Sequence, residues 1–160
     1  MDNHIAGYLR NICGILEKNS VEYLVVGGTA VALHGYLRVS LTSSGMAAEK
    51  PDFDFWYNPA YKNYFNLLNS MGELGQDVSE FIKEKTPDPQ SSFFKLETDL
   101  LTIDFLPSLP GLKKFKDSFR EKEVAIIDGV QIAFLNLNDL LINKHTMARD
   151  KDLNDIEHLK

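Results

Sequence analysis

The chain has 160 residues, the length of one globular domain, and can bury a hydrophobic core without disulfides or a structural metal. Its formal net charge of −6 argues against broad, sequence-independent binding to nucleic acid, and we expect no DNA partner. No apolar run has the roughly 20 residues that span a bilayer, and residues 1–10 lack the apolar core of a signal peptide. With Cys13 as the single cysteine, these features predict a cytoplasmic protein without a membrane partner.

The N-terminal part of the chain predicts a helix, a strand and a second helix in that order. Apolar residues at helical spacing predict an amphipathic helix from about His4 to Lys18. The β-branched, apolar run 22–26 predicts a buried strand, which stops at Gly27-Gly28. A helix should then run from Thr29 to His34. Strand, glycine pair and helix in this order leave backbone N–H groups free to face an anion.

The middle of the chain predicts a loop, a strand and a capped helix. Residues 39–50 are rich in Ser, Thr, Ala and Gly without a clear period, which indicates a loop. The alternation of residues 51–57 predicts a strand. Asn58-Pro59 should supply the N-cap and a first-turn proline of a helix that ends at Gly72. The inward residues expected on this helix are Tyr61, Tyr64, Phe65, Leu68 and Met71.

The remaining segments predict two hairpins and three helices. Together with the elements before them, they indicate a single mixed α/β (α+β) domain over residues 1–160, with a mixed sheet flanked by helices. The expected elements are a short helix within 78–85, strands at 92–97 and 100–106 around Thr98-Asp99, strands at 123–127 and 130–134 around Asp128-Gly129, a helix capped by Asn136, and a last helix at about 152–160.

Three aspartates stand out on the predicted strands. Successive strand side chains point to opposite faces, so Asp52 and Asp54 share a face. Asp104 lies in an apolar strand, where an unpaired carboxylate is costly. Neighbouring carboxylates beside a core need a cation or a shared proton, and hard divalent cations prefer oxygen ligands. The pattern therefore predicts a metal site, although a D-x-D on a solvated sheet face remains the alternative for the first pair.

Other nucleotide and metal sites fit less well. The chain has no G-x-x-x-x-G-K-[ST] sequence, and the run 25–30 lacks the third glycine of a dinucleotide-binding fingerprint. The four histidines lie far apart and have no cysteine at ligand spacing, which argues against zinc. A basic segment, residues 113–122, is either a solvated surface or a binding surface for an RNA or nucleotide acceptor.

The chain resembles the nucleotidyltransferase superfamily, and within it the small bacterial AbiEii-like and minimal nucleotidyltransferases. The residues that carry the resemblance run from position 21 to 158, nearly the whole chain. They are the opening run Tyr23-Leu24-Val25-Val26-Gly27-Gly28-Thr29-Ala30 with His34-Gly35 and Arg38, the D-x-D of Asp52 and Asp54, the apolar-flanked Asp104, and the C-terminal Lys144, Ala148-Arg149, Lys151-Asp152 and Asp155.

The resemblance implies transfer of a nucleoside monophosphate from an NTP to an acceptor hydroxyl, with release of pyrophosphate. Asp52, Asp54 and Asp104 would be the catalytic residues and the ligands of Mg²⁺, with Mn²⁺ as a substitute. Asp104 could also accept the proton of the attacking hydroxyl.

The resemblance also implies the residues that bind the nucleotide. Gly27, Gly28 and Thr29 would cradle the β- and γ-phosphates. Lys144 is a candidate phosphate ligand or, alternatively, an exposed helix lysine. Arg38 and Arg149 are weaker candidates for the same role.

The resemblance leaves the partner open. The acceptor would be RNA, protein or a small molecule, and a toxin of this group would have a cognate antitoxin. The alternative function is a catalytically silent nucleotide-binding or antitoxin-like domain. One departure from the family is the long connection between Gly28 and Asp52, whose excess falls in residues 39–50 and is either a lid or a surface loop.

Overall fold

The computed structural model describes residues 3–35 and 50–159. The predictions for Arg38 and for the loop at 39–50, apart from Lys50, lie outside these ranges. The helices are α1 (Asn3–Lys18), α2 (Gly27–Leu33), α3 (Tyr61–Glu73), α4 (Ser79–Ile82), α5 (Phe115–Arg120), α6 (Leu137–Met147) and α7 (Asp150–Leu159). The strands are β1 (Tyr23–Val26), β2 (Asp52–Tyr57), β3 (Phe94–Glu97), β4 (Thr102–Leu106), β5 (Glu123–Ile127) and β6 (Val130–Phe134).

The strands of the described ranges form one mixed sheet with the order β3-β4-β2-β1-β6-β5. β2 pairs with β4 in parallel and β1 with β6 in parallel. The β1–β2, β3–β4 and β5–β6 pairs are antiparallel. The mixed sheet flanked by helices confirms the predicted fold class.

Helices pack on both faces of this sheet. On one face, the rings of Tyr23, Phe55 and Phe105 follow one another across β1, β2 and β4, with centroids 5.7 Å and 5.4 Å apart. Tyr64 of α3 lies against Phe94 on this same face. On the other face, Trp56 meets Phe115 of α5 edge to face at 5.3 Å. The centre of the sheet is therefore buried on both sides, and a polar residue on a central strand needs a particular environment.

The structure confirms several predictions that rest on turn and capping residues. Both predicted hairpins form, but only the second has the expected connection. Asp128 and Gly129 adopt the positive φ of a two-residue hairpin turn, 47° and 81°, whereas β3 and β4 are joined by residues 98–101 and not by Thr98-Asp99 alone. The side chain of Asn136 accepts a hydrogen bond from the Asp139 N–H at 2.9 Å, so Asn136 caps α6 as predicted. Turn and cap chemistry is local, which is why the sequence suffices to place these elements.

The prediction for the start of α3 is wrong. The helix begins at Tyr61 with Ala60 as its N-cap, whereas the amide of Asn58 donates a hydrogen bond to Glu22 Oε1 at 2.7 Å. Its inward face is also partly different, because Tyr61 and Phe65 are exposed. Leu67 takes their place in the core.

Two further helices differ from the sequence expectation. α2 begins at Gly27 directly after β1, so the glycine pair is the first turn of the helix and not a separate connection. α5, within the basic segment, was not predicted as a helix; its buried residues are Phe115 and Ser118. None of the helices in the described ranges is both long enough and apolar enough to cross a bilayer.

Candidate active site

The parallel pairing of β2 with β4 brings two of the three predicted aspartates together. Asp54 is the register partner of Asp104, and Asp52 is the register partner of Thr102. Asp54 and Asp104 are half-buried, whereas Asp52 at the start of β2 is exposed. The neighbouring positions on both strands, among them Phe53 and Phe55, are core residues. Two carboxylates therefore lie side by side in the middle of an apolar sheet.

The electrostatics of this pair disfavour two negative charges. Burial raises the pKa of Asp54 to about 6, and Asp104 and Asp52 add repulsion, while Lys144 opposes the shift. Burial also raises the pKa of Asp104, against the attraction of Lys95. Within the described residues, neither carboxylate of the Asp54–Asp104 pair forms an ion pair. The pair is thus strained at neutral pH in a way that a bound cation would relieve.

One carboxylate oxygen of this pair lacks a hydrogen-bond partner among the described residues. Asp104 Oδ1 is buried and has no hydrogen-bond partner in the described part of the chain. Carboxylate oxygens are the donors that hard divalent cations prefer, so the chemistry of the donor set fits Mg²⁺. The present side-chain placement holds two carboxylates and not three, since no group of three His, Cys, Asp or Glu in residues 3–35 and 50–159 is arranged to hold a metal. The third aspartate that the sequence predicted for this site, Asp52, lies two positions before Asp54 on β2 and is exposed.

Gly27 is fitted to the carboxylate of Asp54. It has a φ of +67°, a region that L side chains rarely adopt. A Cβ at this position would collide with Asp54 Oδ2 and would lie 3.2 Å from its Cγ. The family resemblance implies a phosphate cradle at Gly27, and the structure gives a reason for glycine that does not depend on a bound phosphate. Gly28 is half-buried and Thr29 is buried in the same first turn of α2.

Lys144 is buried, and the alternative that it is an exposed helix lysine is wrong. Its side chain is 1% exposed, with Nζ 3.1 Å from Asp152 Oδ1 and 3.3 Å from Asp155 Oδ2. The left-handed conformation of Ala148, φ 49°, ends α6 and lets α7 turn back onto it. The lysine thereby joins the two C-terminal helices, and it also attracts Asp54 across the face of the sheet.

Arg149 completes this C-terminal cluster. Its Nε lies 2.6 Å from Asp152 Oδ2, and its backbone N–H donates to the same oxygen at 3.1 Å. Burial alone would raise the pKa of Asp152, but the hydrogen bonds from Arg149 and Lys144 lower it to about 2. The buried carboxylates of the α6–α7 unit are therefore neutralised by the chain itself.

Lys95 is a residue of the site region that the sequence reasoning missed. It is the register partner of Asp104 on β3 and is exposed. The predicted two-residue turn at Thr98-Asp99 would have paired Lys95 with Thr102, and the longer connection that the structure shows pairs it with Asp104 instead. In the basic segment, two of the five basic residues have acidic partners: Lys116 lies 3.3 Å from Glu22, and Arg120 pairs with Asp117. Lys122 lies 4.2 Å from the ring centroid of Phe119.

Comparison with solved structures gives the fold class a name. The chain is similar to an antigenic nucleotidyltransferase-like protein from Paracoccidioides brasiliensis, with a TM-score of 0.55 over 99% of this chain and 76% of that chain. The sequence identity is 11%, so the likeness shows a nucleotidyltransferase-like fold. No protein-family model matches the chain, and no curated protein matches its sequence.

Proposed function

We propose that this protein is a metal-dependent nucleotidyltransferase that moves a nucleoside monophosphate from an NTP to an acceptor hydroxyl and releases pyrophosphate. The observation that carries the proposal is the Asp54–Asp104 pair, two adjacent carboxylates in an apolar sheet without a cation from the described chain. The nucleotidyltransferase-like fold supports the same reading.

The metal-binding residues in this proposal are Asp54 and Asp104, with Asp52 as the third carboxylate. Bound Mg²⁺, or Mn²⁺ in its place, would neutralise the charge of the triphosphate and of the leaving pyrophosphate. The raised pKa of Asp54 means that metal and proton compete for this carboxylate. Lys144 favours the charged form of Asp54 and so favours the state that binds metal.

The remaining residues position the reactants. The first turn of α2, with Gly27, Gly28 and the Thr29 hydroxyl, would hold the β- and γ-phosphates. Asp104 would accept the proton of the acceptor hydroxyl as its oxygen bonds to the α-phosphorus, and the bond from that phosphorus to pyrophosphate breaks. Lys144 would have to leave Asp152 or Asp155 to contact phosphate, since both bind its Nζ.

The finer proposal is that the protein belongs with the AbiEii-like group and acts in a toxin–antitoxin or phage-defence system. Its support is the C-terminal pattern, whose Lys144, Arg149, Asp152 and Asp155 form one cluster in the structure. The acceptor in this proposal is RNA, protein or a small molecule. Because Lys116 and Arg120 have acidic partners, the basic segment gives little support to RNA in particular.

The experiment that tests the proposal measures the melting temperature with each NTP, with and without Mg²⁺. Ligand at about 100 times its dissociation constant stabilises the folded state by about 2.7 kcal/mol. For a chain of this size that corresponds to a shift of roughly 5 to 10 °C. We expect the shift in the wild type, its loss in Asp54→Asn, and its retention in the control Asp99→Asn, which alters an exposed turn residue.

A transfer assay with α-labelled NTP then separates binding from turnover. We expect Asp104→Asn to abolish transfer of label while the protein remains folded. Transfer at the wild-type rate by Asp104→Asn would show that the site is assigned wrongly. A chain that no NTP stabilises, and that transfers no label, would instead favour the catalytically silent, antitoxin-like alternative.

A further inference from the structure

β5 is an edge strand of the sheet that the described residues form. Among the described residues, β5 pairs on one side only, with β6. The two-residue turn 128–129 makes Ile127 and Val130 the first hydrogen-bonded pair of this hairpin, and such pairs alternate along an antiparallel ladder. Val124 and Ile126 therefore direct their N–H and C=O groups away from β6. In the described ranges these two residues provide a row of backbone donors and acceptors without a strand partner.

The side chains of the same two residues are apolar and exposed. Val124 is 46% exposed and Ile126 is 70% exposed. The opposite edge of the sheet, β3, presents charged Lys95 and Glu97 at its exposed positions. Charged residues on an edge strand discourage pairing with other chains, and apolar β-branched residues favour it. The two edges therefore differ, and β5 is the one suited to an intermolecular partner.

We propose that β5 pairs antiparallel with β5 of a second copy of this chain, about a twofold axis at Ala125. In this register Val124 faces Ile126 of the second copy, so the exposed apolar side chains cover each other. Lys122 and Asp128 flank β5 at its two ends, so this register brings Lys122 of one copy next to exposed Asp128 of the other, whose own-chain partner Arg10 is 3.9 Å away. The register thus joins opposite charges at both ends of the strand pair, a complementarity that selects a second copy.

The consequence is one continuous sheet through both protomers. β2, which carries Asp54, is separated from β5 by β1 and β6, so the carboxylate site lies away from the interface. The inference therefore does not depend on nucleotidyl transfer. A single pair of five-residue strands buries little area, and we expect a dissociation constant in the micromolar range, on the order of 10 to 100 µM.

The first test is sedimentation equilibrium of the full chain from about 1 to about 500 µM, a range that brackets this affinity. We expect a concentration-dependent monomer–dimer equilibrium in the wild type. Ile126→Lys should shift it to monomer, because two lysines then approach across the interface. Leu100→Lys is the matched control: Leu100 is 62% exposed but lies in the β3–β4 turn, and its substitution should leave the dimer intact.

The second test fixes the register by crosslinking. Ala125 would face its own counterpart in a non-hydrogen-bonded pair with Cα atoms about 4.5 Å apart, a distance that a disulfide spans. Ala125→Cys should therefore oxidise to a covalent dimer. Glu123→Cys should not, because residue 123 faces Ile127 of the second copy, four residues along the strand from the second copy's own residue 123. Cys13 is buried and gives no background. A wild type that stays monomeric over the whole range, a dimer that Ile126→Lys leaves unchanged, or equal crosslinking of both cysteine variants would overturn the proposal.

Discussion

Two pairs of aspartates in this molecule solve the same physical problem in opposite ways. Asp152 and Asp155 are fully buried, and Lys144 bridges them. Asp54 and Asp104 lie on the same face of the sheet. The charge of Lys144 lowers the pKa of Asp54, yet no cation of the described chain forms an ion pair with either carboxylate. Within the described residues the first pair has ion-pair partners and the second has none. In the function that we propose, the second pair is kept for an external cation.

The largest expected effect comes from removing the internal cation. Lys144→Met removes the lysine from both buried carboxylates and leaves Asp152 with Arg149 alone, which costs about 3 to 5 kcal/mol in the free energy of unfolding. Urea denaturation at pH 7 measures it. Lys62→Met, which replaces an exposed lysine on α3, is the control and should change stability by less than about 0.5 kcal/mol.

The triple variant Lys144→Met/Asp152→Asn/Asp155→Asn tests the same interaction by removing the carboxylates together with the lysine. Removing the two negative charges together with the lysine should recover part of the lost stability, because no uncompensated charge is then buried. If Lys144→Met were as stable as Lys62→Met, the α6–α7 cluster would not be held by this lysine, and the comparison between the two pairs would fail.

The second prediction concerns the pair without a cation, where removing a charge should stabilise. The pKa of Asp54 is raised from 3.8 to about 6 in the folded state, so its contribution to stability is complete below pH 4 and is lost as pH rises to about 6. Asp54→Asn has no carboxylate to ionise at this position, so it should not lose stability over this pH range. At pH 7.5 in EDTA we expect the variant to be more stable than the wild type by up to roughly 3 kcal/mol.

The pH profile of unfolding checks this sign. The wild type should lose stability from pH 4 to 6, Asp54→Asn should lose much less, and Asp99→Asn should follow the wild type. Saturating Mg²⁺ should narrow the gap between the wild type and Asp54→Asn at pH 7.5, since only the wild type retains the complete site. A destabilised Asp54→Asn in EDTA would show that its carboxylate is already compensated.

The third prediction uses the opposite pH dependence of the C-terminal pair. The pKa of Asp152 is lowered to about 2, so its stabilising contribution is present above about pH 4 and is lost as pH falls towards 2. Asp152→Asn should therefore cost about 2 kcal/mol at pH 7 and flatten the acid limb of the unfolding profile. Asp150→Asn, an exposed residue at the start of α7, serves as the control. An unchanged acid limb would separate Asp152 from the stability of this cluster.

The two pairs also show how far the sequence reaches. Alternation placed Asp52 and Asp54 on one face, and the apolar neighbours of Asp104 marked it as unusual, because both signals are local. The contact between Asp54 and Asp104 depends on the parallel β2–β4 pairing, a non-local arrangement that the periodicity does not predict. The burial of Lys144 was missed because its partners lie on a different helix. α5 was missed because five basic residues obscured its short apolar face.

The smallest expected effect tests whether Gly27 serves the carboxylate. Gly27→Ala imposes a side chain at φ +67° and a collision with Asp54 Oδ2, and we expect a loss of about 1 to 2 kcal/mol in the free energy of unfolding. Only the collision depends on Asp54, so the loss should be smaller in an Asp54→Ala background. A double-mutant cycle of these two substitutions measures the coupling. Gly35→Ala, also at positive φ but with no described atom within 4 Å of the added Cβ, isolates the conformational part. If the cycle closed with no coupling, the glycine would be required by its backbone alone, and the close fit of Asp54 against α2 would have no energetic role.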